Sequence, residues 1–183
     1  MKFIKLFSTL YGLHYNKIVT KVNKINCYGY MTPSLSKELI NSLYNVESEC
    51  KKYSNENSIK HMPIYLKVQS EYGDLQSIFD VIYTMNRIKC PIHTVLDTYI
   101  GGYSSLIYLN GQHKTFSKNA KLFISDVPDK YMDIYQNPII SLDTNIVLHY
   151  KTYTEFPMET LFEYYYTSKY INYIEAKKYN IIN

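Results

Sequence analysis

The chain has 183 residues, 46% of them hydrophobic and 20% charged, with a formal charge of +4. That length suits a single domain with a substantial core, and so small a charge does not by itself argue for a nucleic-acid partner. Cys27, Cys50 and Cys90 lie in no CxxC or Cys/His cluster, so spacing implies neither a disulfide framework nor a zinc site, and a reducing compartment is the default.

Residues 1–26 read as a Lys- and Tyr-rich arm with little periodicity, ahead of a single domain over 27–183. Lys2 and Lys5 interrupt the first apolar run, so no secretory h-region is expected, and no stretch approaches transmembrane length. A short strand is expected at 27–31. After a turn, Thr32 or Ser34 caps a helix on which Leu35, Leu39, Ile40, Leu43 and Val46 recur at helical spacing. The polar stretch YSNENSIKH reads as a loop, and MPIYLKVQS as a strand ending at EYGD. Asp74 is then the candidate N-cap of a helix over DLQSIFDVIYTMNRIK, with Leu75, Ile78, Ile82 and Met85 on one face. CPIHTVLD predicts a second strand, IGGYSSLIYLNG a helix apolar or small on every side, and KTFSKNAKLFISD a third strand.

Strand, helix, strand, helix, strand at this spacing predicts an α/β fold with a parallel sheet joined by right-handed crossovers. Ligands of such sheets sit beyond the carboxyl ends of the strands. Two of those ends carry glycine: Gly73 after the first strand, and Gly101–Gly102 after the second. Glycine permits close backbone approach, and two converging N–H groups at a helix N-terminus make an oxyanion site. The alternative is structural: Gly73 permits a tight turn, and the glycine pair packs a helix against the sheet.

The block from PIYLKVQSEYGD to KTFSKNAKLFISD resembles the proteolytic subunit of the Clp protease, ClpP, whose superfamily includes the crotonases. That family shows an "I-x-L-x-I-x-S-x-G-G" strand and turn, an amphipathic helix with "I-Y-D-x-M", a strand running into "G-x-A-A-S-M-G", and a strand that follows "P-N" and ends on histidine. Upstream, YGYMTPSLSKELINSL fits the pattern. Downstream, FPMETLFEYYYTSKYINYIEAKKYNII is similar to the family's last helices and its "A-x-E-A-x-x-Y-G-L-V-D" ending. The resemblance covers 27–182 and implies repeated βα units around a parallel sheet. It also implies a shortened handle over Asp126–Thr154, where Pro128 and Pro138 interrupt helix formation, so stacking of two rings is expected to be weak or absent.

The resemblance implies a degenerate catalytic site. Aligned without a gap from Thr94–Val95, Gly102 stands where the family has its nucleophilic serine. A short deletion before Asn119–Ala120 then puts Ser125 at the general-base histidine, and the C-terminal register puts Ser168 at the aspartate. None of the three side chains can do its counterpart's work. Gly73 matches a glycine whose N–H helps form the oxyanion hole, Tyr103 supplies the second N–H, and Tyr72 replaces the first glycine of the "G-G" pair. Ser104 and Ser105 are alternative nucleophiles one half-turn along. His93, read as a strand residue, His113, read as a loop residue, and His149 are alternative bases remote from Ser125. Asp126 reads as a strand-end or turn residue. If the oxyanion site is filled, Tyr72 or Tyr99 is expected to fill it.

The cluster FEYYYTSKYINY interleaves aromatics with lysine, as base-stacking surfaces do, but only Lys169 accompanies the rings before Lys177. Phe162, Tyr165, Tyr166 and Tyr170 read instead as a helix face packing on a core or a neighbouring subunit. The expected function is a catalytically inactive ClpP-like subunit with a structural or assembly role. It is expected to form homo- or hetero-oligomers with ClpP-like subunits, with an AAA+ unfoldase as a further partner and no nucleic acid, membrane, metal or cofactor. The expected location is a reducing compartment: cytoplasm, plastid stroma or host cytoplasm. The alternative is an active enzyme, either a serine peptidase with a relocated nucleophile or a crotonase-like acyl-CoA enzyme in which Asp74 or Asp97 supplies the carboxylate.

Overall fold

The computed structural model of the chain describes residues 16–58, 60, 62–124, 144–167 and 169–182. Strands β1 (Lys17–Lys21) and β2 (Lys24–Tyr28) pair as an antiparallel hairpin. Part of the stretch read as an arm therefore lies in a sheet, and the expected strand at 27–31 starts earlier, at Lys24. In β2, Ile25 and Cys27 are fully buried while Lys24 is exposed, the alternation of a half-covered strand. The hairpin's turn holds Val22 at φ 54°, a left-handed conformation that usually selects Gly or Asn.

Helix α1 (Pro33–Glu56) begins at Thr32, whose hydroxyl accepts from the Leu35 N–H at 3.2 Å. Leu35, Leu39, Leu43, Val46 and Cys50 form its buried stripe, and Ile40 is half-buried. The helix continues through Tyr53–Glu56, residues assigned above to a loop. Buried Ser54 anchors that last turn by accepting the Met62 N–H at 3.0 Å. Glu47, also buried, accepts the Lys89 N–H at 2.7 Å and pairs with Lys51 at 2.8 Å. Burial pushes its carboxyl up, but Lys51 and the Lys89 N–H outweigh burial and hold its pKa below the ordinary range.

Strand β3 (Ile64–Gln69), helix α2 (Leu75–Arg87) and strand β4 (Ile92–Leu96) follow the sequence pattern. The Asp74 carboxylate accepts from Ser77 N–H at 2.8 Å and Ser77 Oγ at 2.7 Å, which caps α2 and lowers its pKa. Ile78, Ile82 and Met85 are buried, and Leu75 packs against the core from its edge.

The next two expected elements are each divided. In place of one helix over 100–111 there is a short strand β5 (Tyr99–Ile100), a 3-10 turn (Gly102–Ser104) and helix α3 (Ser105–Leu109), every residue of α3 being buried. In place of one third strand there are β6 (His113–Phe116) and β7 (Lys121–Phe123), separated by a turn in which Ala120 N–H donates to Ser117 O at 2.9 Å. His113 is thus a strand residue. Helices α4 (Thr144–Tyr153) and α5 (Met158–Thr167), strand β8 (Tyr170–Ile171) and helix α6 (Tyr173–Lys178) complete the described chain. The handle residues 125–143, with Pro128 and Pro138, lie outside it.

The main sheet has the order β1-β2-β3-β4-β6, parallel from β2 onward, and the second sheet the order β5-β7-β8. A parallel bridge between Met31 and Gly73 lies outside both. The repeating unit is thus a main-sheet strand followed by a short strand or bridge, then in three cases by a helix: β2, Met31 bridge, α1; β3, Gly73 bridge, α2; β4, β5, α3; then β6, β7. Each main-sheet strand from β2 onward passes into a short extended segment at its carboxyl end, and there the glycine turns lie.

Candidate functional site

The two glycine turns meet at the carboxyl end of β3. Gly101 N–H donates to Ser70 O at 2.8 Å, docking the β5 segment onto that end. Ser104 Oγ donates to Ser70 Oγ at 3.0 Å, and Ser70 Oγ donates to Tyr72 O at 2.7 Å. A chain of hydroxyls therefore ties the Gly102–Ser104 turn to the Tyr72–Gly73 turn.

Gly73 has no room for a side chain. A Cβ there would stand 2.5 Å from Met31 Cβ and 2.9 Å from Ile78 Cδ1. The bridge explains the closeness: Met31 N–H donates to Tyr72 O at 3.1 Å, and Asp74 N–H donates to Met31 O at 2.8 Å. Among the described residues, nothing accepts from the Gly73 N–H itself. Packing alone thus requires glycine here.

Gly102 is buried at φ 54°, in the left-handed region that L side chains rarely adopt. Its carbonyl oxygen accepts from Ser105 Oγ at 2.8 Å and from the hydroxyl of Tyr150 at 3.1 Å. Ser105 Oγ and Tyr150 Oη are themselves 2.8 Å apart. Three oxygens share two hydroxyl protons, so one of the three contacts lacks a donated hydrogen at any instant. Tyr150 projects from α4 and is fully buried.

Ser104 and Ser105, the alternative nucleophiles, are both 0% exposed and engaged as described. Among the other residues named above, Tyr72 stacks on Tyr30 with centroids 5.9 Å apart, and the Tyr99 hydroxyl lies 2.5 Å from where a Gly101 Cβ would stand. The ring that reaches Gly102 is that of Tyr150, not singled out in sequence: it lies far downstream and belongs to no motif. Asp74 is committed to its cap, and Asp97 pairs with Lys67 at 2.7 Å. His93 and His113 stand side by side on β4 and β6, with ring centroids 4.6 Å apart, and His149 packs on Phe79 at 4.9 Å. All three cysteines are buried free thiols; burial pushes Cys27 up to about 12 and Cys50 to about 11, so neither is a ready thiolate. Ser125 and Ser168 lie outside the described residues.

The tyrosine cluster is only partly a helix face. Phe162 and Tyr165 pack inward from α5, joined by Tyr164. Tyr170, expected on the same face, belongs to β8, where it meets Phe123 with centroids 5.2 Å apart and Lys121 lies over its ring. The side chain of Tyr166 is outside the described set. No helix among the described residues is long and apolar enough to cross a membrane.

Residues 14–183 match the family "Clp protease". The match starts upstream of Cys27, in keeping with the position of the β1–β2 hairpin in the main sheet. The crystal structure of the ClpP protease catalytic domain from Plasmodium falciparum is similar at a TM-score of 0.68 and 22% identity, covering 100% of this chain and 88% of that one. No curated protein matches the sequence.

Proposed function

The chain belongs to the Clp protease family, and on that premise we propose that it is a catalytically inactive subunit with a structural role in a Clp-type oligomer. The observation that carries this reading is the state of Gly102. The residue that resemblance aligns with the nucleophile has no side chain, sits at φ 54°, and has its carbonyl held by Ser105 and by a fully buried Tyr150. A nucleophile of the serine-peptidase type needs a hydroxyl or thiol beside a base. Ser104 and Ser105 have hydroxyls but spend them on Ser70, Gly102 and Tyr150 within the core. Ser125 and Ser168, aligned with the histidine and aspartate, neither accept a proton near neutrality nor orient a base.

The crotonase-like alternative gains support from the Gly73 N–H, for which no described residue is an acceptor. It loses support from the carboxylates, because Asp74 is used as a cap and Asp97 as an ion-pair partner. The inactive-subunit reading is the stronger.

The test is co-expression with ClpP-like subunits from the same source, followed by light scattering and peptide hydrolysis. The reading expects the chain to enter a defined oligomer and, alone, to hydrolyse no peptide. A chain that stays monomeric and never co-purifies with such subunits would refute the structural role.

A further inference from the structure

Parallel pairing of β4 with β6 sets His93 directly opposite His113. Residues opposite each other in register project to the same face. The two imidazole centroids are 4.6 Å apart with planes at 72°. One strand further along the row, Tyr65 of β3 stands opposite His93, and its ring meets the imidazole edge-on at 5.3 Å. His113 is exposed and His93 half-buried.

We propose that His93 and His113 form a two-imidazole site for a late first-row divalent ion of the Zn2+ or Ni2+ type, with water completing the coordination shell. An ion ~2 Å from one nitrogen of each ring holds the ring centres roughly 4.5–5 Å apart, a range that includes the 4.6 Å separation here. Imidazole nitrogen suits Zn2+, Ni2+ and Cu2+ and not the hard, oxygen-seeking Mg2+ or Ca2+. Tyr65 packs against the His93 imidazole from the side away from His113. The electrostatics are permissive. On the same face, Lys67 is neutralised by Asp97 at 2.7 Å, and Lys24 lies beyond Tyr65 in the row. Burial, together with the neighbouring His113, holds His93 below the ordinary histidine range, so it offers a lone pair at neutral pH. No cluster of three or more His, Cys, Asp or Glu that could hold a metal occurs among the described residues, so the site has two protein ligands. Ligands so far apart in sequence give no local metal motif; only the strand register joins them.

The test is isothermal titration of the untagged full chain with ZnCl2 at neutral pH, with MgCl2 as control. One Zn2+ per chain and no Mg2+ binding are expected. His113→Asn changes an exposed side chain and leaves the fold intact; it should weaken Zn2+ binding by roughly tenfold or more, as should His93→Asn. His149→Asn, which alters the histidine beside Phe79, should leave binding unchanged. In parallel, Ni2+ should selectively broaden the NMR signals of the His93 and His113 rings. Absence of Zn2+ binding would overturn the proposal, as would wild-type affinity in the folded His93→Asn/His113→Asn double variant.

Discussion

The Tyr150 hydroxyl donates to the Gly102 carbonyl at 3.1 Å, joining helix α4 to the turn after β5. If that contact is a structural tie, removing the hydroxyl costs stability and yields no activity. Tyr150→Phe should lower unfolding free energy by about 0.5–1.5 kcal/mol, since Ser105 still donates to Gly102. Tyr150→Ala also opens a cavity in the core and should cost about 3–5 kcal/mol. Urea unfolding measures both, and a Tyr150→Phe variant as stable as the parent would remove the tie from the account.

Gly73 provides a second test of the same corner. Its absent Cβ would meet Met31 Cβ at 2.5 Å, and one partner of that clash is close to the backbone and cannot swing away. Gly73→Ala should therefore destabilise the chain by about 1–3 kcal/mol through overpacking. Unfolding by urea is again the readout; tolerance of alanine would show that the Met31–Gly73 bridge has slack.

Gly102→Ser places a hydroxyl where the resemblance aligns the nucleophile, in a left-handed conformation that disfavours a side chain by roughly 1–2 kcal/mol. With no base aligned beside it, the serine should remain unacylated by a serine-directed probe, as intact mass would record. Rapid acylation of this single variant would mean that a base already stands next to Gly102.

The large, self-contained signals were the legible ones. Helices α1 and α2 could be read because each joins a hydroxyl or carboxylate cap, Thr32 or Asp74, to an apolar stripe that α1 and α2 then bury. Most of the rest depended on pairing between distant residues. The β1–β2 hairpin carries no turn signal in the sequence, because Val22, rather than glycine, takes the positive φ of its turn. The division of 113–123 into β6 and β7 leaves no proline or glycine mark, and what separates the two strands is their membership of different sheets. At the site, the glycines could be found from turn chemistry, whereas Tyr150 reaches Gly102 only through the packing of α4.

His93 makes a prediction about pH. Burial and then His113 depress its folded pKa below the unfolded value of about 6.5. The unfolded chain therefore binds the proton more tightly. The associated stability is fully present above about pH 6.5 and is lost as pH falls through that value toward the folded pKa. In chelator-treated protein, His93→Asn should flatten the stability loss below that pH. An unchanged acid limb in the variant would assign the loss to other groups.

Intact-mass analysis after exposure to a fluorophosphonate tests whether this Clp-family chain carries a working serine nucleophile. The purified chain should keep an unmodified mass, both alone and in complex with partner subunits. Stoichiometric addition that maps to Ser104 or Ser105, and disappears when that serine is changed to alanine, would contradict this expectation.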